Sequence, residues 1–196
     1  TDRAAYGDLY QWGRATDGHE KRNSAVTELC CGSSSTLETS ITGTSNNFIS
    51  DTRWNDNDSG VNDWVSLTVD DNGDLRSAAW ADGGANDICP AGFSVPTNDE
   101  IKADTSDATT TQVTSGTTAF SSFLKIPSAG FRNMAGGNLG SVGRSAHWWS
   151  STPFFYSGGR GGATHNAYDF YVGGSNVLHN GDYRTYGKSV RCIKSL

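Results

Sequence analysis

Apolar and polar positions alternate in two places with the period of a strand. In residues 166–172, Tyr168, Phe170 and Val172 fall on one side and Ala167, Asp169 and Tyr171 on the other, which predicts a strand with one core face and one free face. Val65, Leu67 and Val69 alternate likewise and predict a second strand. Helical spacing is present but short. Leu75, Ala78, Ala79 and Trp80 form an apolar stripe over residues 75–86, stopped by Gly83 and Gly84. Thr97 with Glu100 spells a capping box, so a helix starts at Asn98, and the polar run after Ile101 holds it to about two turns. Phe120, Phe123, Leu124 and Ile126 read as a buried, strand-like approach to the last third of the chain. Tyr6, Leu9, Tyr10 and Trp12, set between Gly7 and Gly13, read as a first strand or short helix packed on the core. Residues 27–50 are mostly Ser, Thr, Gly and Asn with scattered Leu37, Ile41, Phe48 and Ile49, the pattern of an irregular insertion or long loop.

The length of 196 residues suits one domain, and 24 glycines among them predict many turns and no long helix. No run approaches the ~18 apolar residues of a membrane span, and Thr1 is followed by neither a basic nor an apolar stretch. The expectation is a soluble mature form or an excised domain, without a transmembrane segment. The net charge of -6 is uneven: residues 131–196 carry seven Lys/Arg against two Asp/Glu, and residues 1–130 carry eight against nineteen. A modestly basic end favours anionic ligands, yet no basic cluster or stripe is present, so nucleic acid is not expected as a partner. The same end holds 11 of the 21 aromatic residues. Around them the loops are Gly, Ser, Asn, Tyr, His, Asp and Arg, the mixture that binding loops use on a rigid scaffold.

Five motifs then follow one another in order: Tyr6-Gly-Asp-Leu-Tyr-Gln-Trp-Gly-Arg14, Cys89-Pro-Ala-Gly-Phe-Ser-Val-Pro-Thr97, Ala129-Gly-Phe-Arg132, Trp149-Ser-Ser-Thr152 and Gly187-Lys-Ser-Val-Arg-Cys192. In that order they resemble the Fibrobacter succinogenes major paralogous domain, a group that includes variable proteins of diversity-generating retroelements. The resemblance implies an α+β, C-type lectin-like fold, glycine- and loop-rich, with short helices around small antiparallel sheets. It implies a single ligand-binding domain over residues 1–196, with an insertion around 27–74 and a variable ligand-binding region around 130–192. The function implied is receptor recognition by diversified side chains, with a protein or cell-surface ligand as partner and a virion surface or an extracellular or cell surface as location. A surface adhesin or structural module of the same fold, without diversification, is the alternative.

In the diversified relatives, constant core positions alternate with variable ones. Carried across, Tyr168, Phe170 and Val172 match constant positions, and Asp169, Tyr171 and Gly173 match variable ones. Gly140, Ser141, Ser145, His147, Leu178, His179, Asn180, Asp182, Tyr183 and Tyr186 are further ligand-binding candidates, with Trp148 standing where Tyr is usual. Phe154, Phe155 and Tyr156 lie in a loop of varying length. Three consecutive aromatics cannot all face one core, so an exposed one signals a contact. Trp149, Ser150 and Ser151 read instead as a core tryptophan and turn. Arg184, Gly187 and Arg191 match near-constant positions and are structural, with Gly187 serving a turn of positive φ.

Cys89 and Cys192 each sit inside a family motif, which favours a disulfide between them; Cys30 and Cys31 are adjacent, match no metal spacing and read as free or mispaired thiols. His19 beside Glu20, in a charged run, reads as solvated surface. Asp56 and Asp58 copy the start of a calcium loop, but Val61 stands where Gly is needed and Leu67 where the bidentate Glu belongs, so a polar turn is the better reading. Asn57 opens a glycosylation sequon. His147, His165 and His179 share no ligand spacing, so neither metal nor cofactor is expected. A formylglycine-generating enzyme of the same fold would need a reactive cysteine pair near its C-terminal end, where only Cys192 stands. No Gly-x-Ser-x-Gly, phosphate loop or His-Glu-x-x-His is present, and a binding protein is expected rather than an enzyme.

Overall fold

The computed structural model describes residues 3–29, 37–51, 62–107, 112–155 and 166–195. Cys30, Cys31, Asp56, Asn57, Asp58, Tyr156 and His165 lie outside them. The order begins with a 3-10 turn, Arg3–Tyr6, then β1 (Tyr10–Gln11), β2 (Val26–Leu29), β3 (Phe48–Asp51), α1 (Leu67–Asp70) and α2 (Asp74–Ala79). It continues with β4 (Phe93–Ser94), α3 (Asn98–Asp104), α4 (Gly116–Ser121), β5 (Phe131–Arg132), β6 (Leu139–Gly140) and β7 (Ser145–Phe154). Last come β8 (Asn166–Gly173), β9 (Asn176–Tyr183), β10 (Gly187–Lys188) and β11 (Ile193–Lys194). The chain is mixed α+β with short helices and small sheets. Among the described residues no helix is long and apolar enough to cross a membrane.

The sheets bring the ends of the sequence together. One has the order β1-β10-β5-β6, antiparallel throughout; β4 pairs with β11, and β7-β8-β9 form an antiparallel meander. The disulfide between Cys89 and Cys192, with Cα atoms 5.8 Å apart, fastens the segment before β4 to the one before β11 across 103 residues of sequence.

Three buried clusters fill the interior. Ile101, Val113, Ala119, Leu124 and Ile126 pack on Ala146, Trp148, Phe170 and Val172 of the meander. Trp12, Trp80, Val95, Trp149 and Ala167 form a second cluster, and Leu29, Ile49, Trp64 and Val65 a third. The stretch read as an irregular insertion therefore contributes a parallel pair, β2 with β3, and a small core of its own. The four fully buried indoles each donate to a backbone carbonyl: Trp149 to Tyr10, Trp64 to Trp12, Trp80 to Arg14 and Trp12 to Ser150, at 2.7 to 3.0 Å. Beside Trp12 lies a buried charge cluster. The Arg76 guanidinium pairs with Asp63 and, at 2.8 Å, with Asp70; Arg184 lies 3.6 Å from Asp63 and donates to the carbonyls of Asn166, Asp71 and Asn72. Both guanidinium groups lie over the Trp12 ring. Burial lowers the Arg184 pKa to about 10, with Asp63 acting against it; at Arg76 burial is outweighed by Asp63 and Asp70, and the pKa is raised.

Several local expectations meet these contacts. The capping box of Thr97 and Glu100 opens α3, which runs seven residues. The alternation of Val65, Leu67 and Val69 gives no strand: α1 forms there instead, because Asp70 must turn back to accept the Leu75 and Arg76 N–H groups and bind the Arg76 side chain. Phe120 and Phe123 are not buried. A second capping box, Ser115 with Thr118, starts α4; Ala119 points inward, and the two phenylalanines are left 57% and 60% exposed. Gly187 is required for space rather than for φ, since it lies in β10 and a Cβ there would come within 2.9 Å of Arg132 Cβ and 3.0 Å of a Phe48 ring carbon. Gly13, at φ +80, has both reasons, because a Cβ would overlap the Arg76 side chain.

Two outcomes test this frame. Asp63→Asn, which leaves buried guanidinium charge under-compensated, should lower the unfolding free energy in urea by about 3–5 kcal/mol. Replacing Cys89 and Cys192 together by serine should lower it by about 2–5 kcal/mol, because a loop of this size is freed in the unfolded chain.

Candidate functional site

The meander presents two faces. Register places Ser145, His147 and Trp149 of β7, Ala167, Asp169, Tyr171 and Gly173 of β8, and Leu178, Asn180 and Asp182 of β9 on the first. Ala146, Trp148, Phe154, Tyr168, Phe170, Val172, His179, Gly181 and Tyr183 lie on the second. The expected division of β8 into a core face and a free face is not what forms. As the central strand of three it is covered on both sides, with Phe170 and Val172 in one cluster and Ala167 in another. Tyr168, expected in the core, is only half-buried and stands against Phe154 with ring centroids 4.8 Å apart.

On the first face, Trp149 and Ala167 close the core, and the far half rises beyond it. There the His147 ring lies 5.0 Å from both Phe131 and Tyr171, and Phe131 lies 5.6 Å from Tyr186. Leu178, which pairs with Tyr171, is 50% exposed, and Asn180 is exposed. Gly140 lies beneath Phe131, and Ser141 beside it is exposed. Below these rings runs a charge line. Lys188 is fully buried and donates to Asp169 at 2.8 Å and Asp182 at 2.6 Å; its ammonium stands 4.3 Å from the Trp149 ring centre. Asp169 also meets His147 Nδ1 at 3.3 Å, and Ser145 Oγ lies 3.1 Å from His147 Nε2. Burial alone would raise the Asp169 pKa; Lys188 and His147 outweigh it and hold the carboxyl below its ordinary value. Tyr186 is pushed up by its burial and by Asp182 and Tyr183.

Four candidates are thereby corrected. Asp169 is 5% exposed and serves as the counter-ion of Lys188; Ser145 is buried beneath His147; Trp148 belongs to the core behind the meander. Gly173 is buried, and a side chain there would displace the Tyr171 ring. Phe154, His179 and Tyr183 are half-buried but lie on the second face, away from His147 and Tyr171. His179 packs on Phe170 and lies 2.6 Å from the Ser106 hydroxyl. Phe155, the residue after β7, is 63% exposed. The face thus assembles His147, Tyr171, Leu178, Asn180, Asp182 and Tyr186 with Gly140 and Ser141. Sequence reading missed Phe131 and Lys188. A signal for the lysine existed: the two carboxylate side chains of residues 131–196 both clamp it.

His19 and Glu20 are not solvated surface; both are fully buried. With Asp17 they hold donor atoms within 4.8 Å of one another, the nearest thing to a metal set among the described residues. The imidazole and the Asp17 carboxylate are already engaged. The Gln11 N–H donates to His19 Nε2 at 2.9 Å, which fixes the proton on Nδ1, and Nδ1 donates to Asp17 at 2.6 Å. Asp17 also receives Arg14 at 2.8 Å and the Thr44 hydroxyl. This is a hydrogen-bond lock on a neutral imidazole. Cys192, bonded to Cys89, is no free thiol.

Burial outweighs Asp17 and lowers the His19 pKa to about 4 from 6.5. The unfolded chain therefore takes up the proton first, and stability present above pH 6.5 is lost as pH falls towards 4. Urea unfolding should show wild type losing on the order of 3 kcal/mol more than His19→Gln between about pH 7 and pH 4, because Gln keeps an acceptor for Gln11 without titrating.

Comparison of the chain with protein-family models, with curated proteins and with solved structures finds no match.

Proposed function

We propose that the chain is a ligand-recognition domain of C-type lectin-like fold, which captures a protein or cell-surface ligand on the outer half of the meander's first face. The observation that supports this is the contrast along one sheet face. Its inner half is closed by Trp149 and Ala167, while His147, Tyr171, Leu178 and Asn180 stand half-buried or exposed on the same rigid strands. Rings and amides held on fixed backbone lose little freedom on contact, which suits recognition. Tyr171, Leu178 and Asn180 can change identity without disturbing a buried charge, whereas His147 also meets Asp169. Asp182 is different, because it answers Lys188.

Diversification by a retroelement, with a virion or extracellular surface as location, remains part of this proposal, and the disulfide suits an oxidising compartment. Replacing His147, Tyr171, Leu178 and Asn180 together by alanine should shift melting by only a few degrees while abolishing capture of labelled cell-surface extract; loss of folding would refute the surface assignment. Neighbouring DNA should carry a near-copy of the segment coding for residues 130–192 beside a reverse transcriptase gene, with differences confined to adenines. Their absence would leave a surface adhesin without diversification.

A further inference from the structure

The meander has one covered edge and one bare one. On the outer side of β7 the chain itself supplies partners: the Gly130 N–H donates to Ser145, Trp149 to Ser189, and Ser189 back to His147. Among the described residues β9, the other edge, pairs with β8 alone, over all eight of its residues and without a register shift. Its turn is Gly174 and Ser175, with Gly174 at φ +57, the two-residue hairpin in which Gly173 and Asn176 form a hydrogen-bonded pair. Alternation then sends the N–H and C=O groups of Leu178, Asn180 and Asp182 to β8, and those of Val177, His179 and Gly181 outward. Tyr183 keeps the same phase, because its N–H takes Asp182 Oδ1 and its carbonyl takes Tyr186. The outward groups of Val177, His179 and Gly181 have no hydrogen bond among the described residues. Gly181, which is all backbone, is not buried.

A long bare edge is ordinarily guarded by lysine, proline, a bulge or shortness. β9 has none of these, and its one charged side chain, Asp182, is turned to Lys188. What such an edge fits is another strand, and β9 matches its own copy. Set antiparallel about a two-fold axis at His179, Val177 of one copy faces Gly181 of the other and His179 faces His179. Every outward N–H then meets a C=O, with two hydrogen bonds at each pair. Charges do not collide in this register. Asp182 comes opposite the exposed Asn176, and the exposed Leu178 opposite Asn180. Burial lowers the His179 pKa, so at neutral pH the two imidazoles meet uncharged. Val177 comes onto Gly181 of the other copy, over which a Phe154 ring lies.

We infer that the chain forms a two-fold dimer through β9, which joins two meanders into one antiparallel sheet of six strands. The axis stands perpendicular to the sheet, so both first faces, with His147 and Tyr171, open on the same side. Two copies of the proposed ligand face then act together wherever ligands are dense. The pairing itself does not rest on that reading.

Sedimentation equilibrium of the whole chain, with no ligand present, tests this. Wild type should dimerise with a dissociation constant on the order of 1–100 μM. Leu178→Lys with Asn180→Lys sets lysines opposite one another across the seam and should give a monomer with the far-ultraviolet dichroism of wild type. Leu178→Lys with Asn180→Glu sets Lys opposite Glu and should restore the dimer, which ties association to this register. In wild type the amides of Val177, His179 and Gly181 should exchange at least about tenfold faster on dilution to monomer, while those of Leu178 and Asn180 keep their protection. That pattern decides by itself where a lysine variant unfolds. A wild type still monomeric at about 0.5 mM, as for an edge kept for a foreign peptide, would overturn the inference. So would a dimer that both double variants leave intact, or one whose outward amides gain no protection. Each of these outcomes leaves the reading of the aromatic face untouched.

Discussion

Buried hydrogen-bond donors must find acceptors, and one five-residue segment supplies them to three of the four fully buried indoles. The carbonyls of Tyr10, Trp12 and Arg14 receive the indoles of Trp149, Trp64 and Trp80, and the Gly13 carbonyl receives Asn86. The gift is returned when Trp12 donates to Ser150. That carbonyl is free because β7 slips register between Trp149 and Pro153. A buried donor left unmet costs about 1–3 kcal/mol, so the segment, the meander and the third cluster are ordered together or not at all. The charge cluster beneath reinforces this. Two carboxylates and two guanidiniums balance, and the short helices α1 and α2 exist largely to bring Asp70 to Arg76.

Legibility in the sequence followed the range of the interaction. The Thr97 capping box spans three residues and was readable, and so was the strand character of β8. What misled the reading was distant. Asp70 belongs to Arg76 and Arg184, so the alternation at Val65 and Val69 lost to a turn that satisfies charge. His19 looks like surface among Asp17, Glu20, Lys21 and Arg22, yet Gln11 and Arg14 fold over it. Alternation in β8 reports side and not cover, so it does not tell a free face from a covered one. Whether the other face is open depends on Trp12 and Trp80, more than eighty residues upstream.

These same contacts decide which candidate positions have latitude. Lys188 is buried with Asp169 and Asp182 as its counter-charges, so a neutral side chain at either would leave the ammonium with one carboxylate in place of two. Ser145 and Gly173 are confined by His147 and Tyr171, the rings they support. Freedom therefore sits one layer out, at Tyr171, Leu178 and Asn180, half-buried or exposed and in no charge pair among the described residues.

That layering explains how one strand can serve folding and display together. In β8 the two residues that fix the sheet from within, Asp169 and Phe170, precede Tyr171, which meets the outside. A change at Tyr171 alters a ring contact with His147 and little else; a change at Asp169 removes the more deeply buried of the two counter-ions of a lysine lying between Trp149 and Tyr186. Exposure alone would rank these neighbours by degree. Charge pairing separates them in kind, because losing apolar surface at a rim costs in proportion to area, whereas taking a carboxylate from a buried ammonium costs at once.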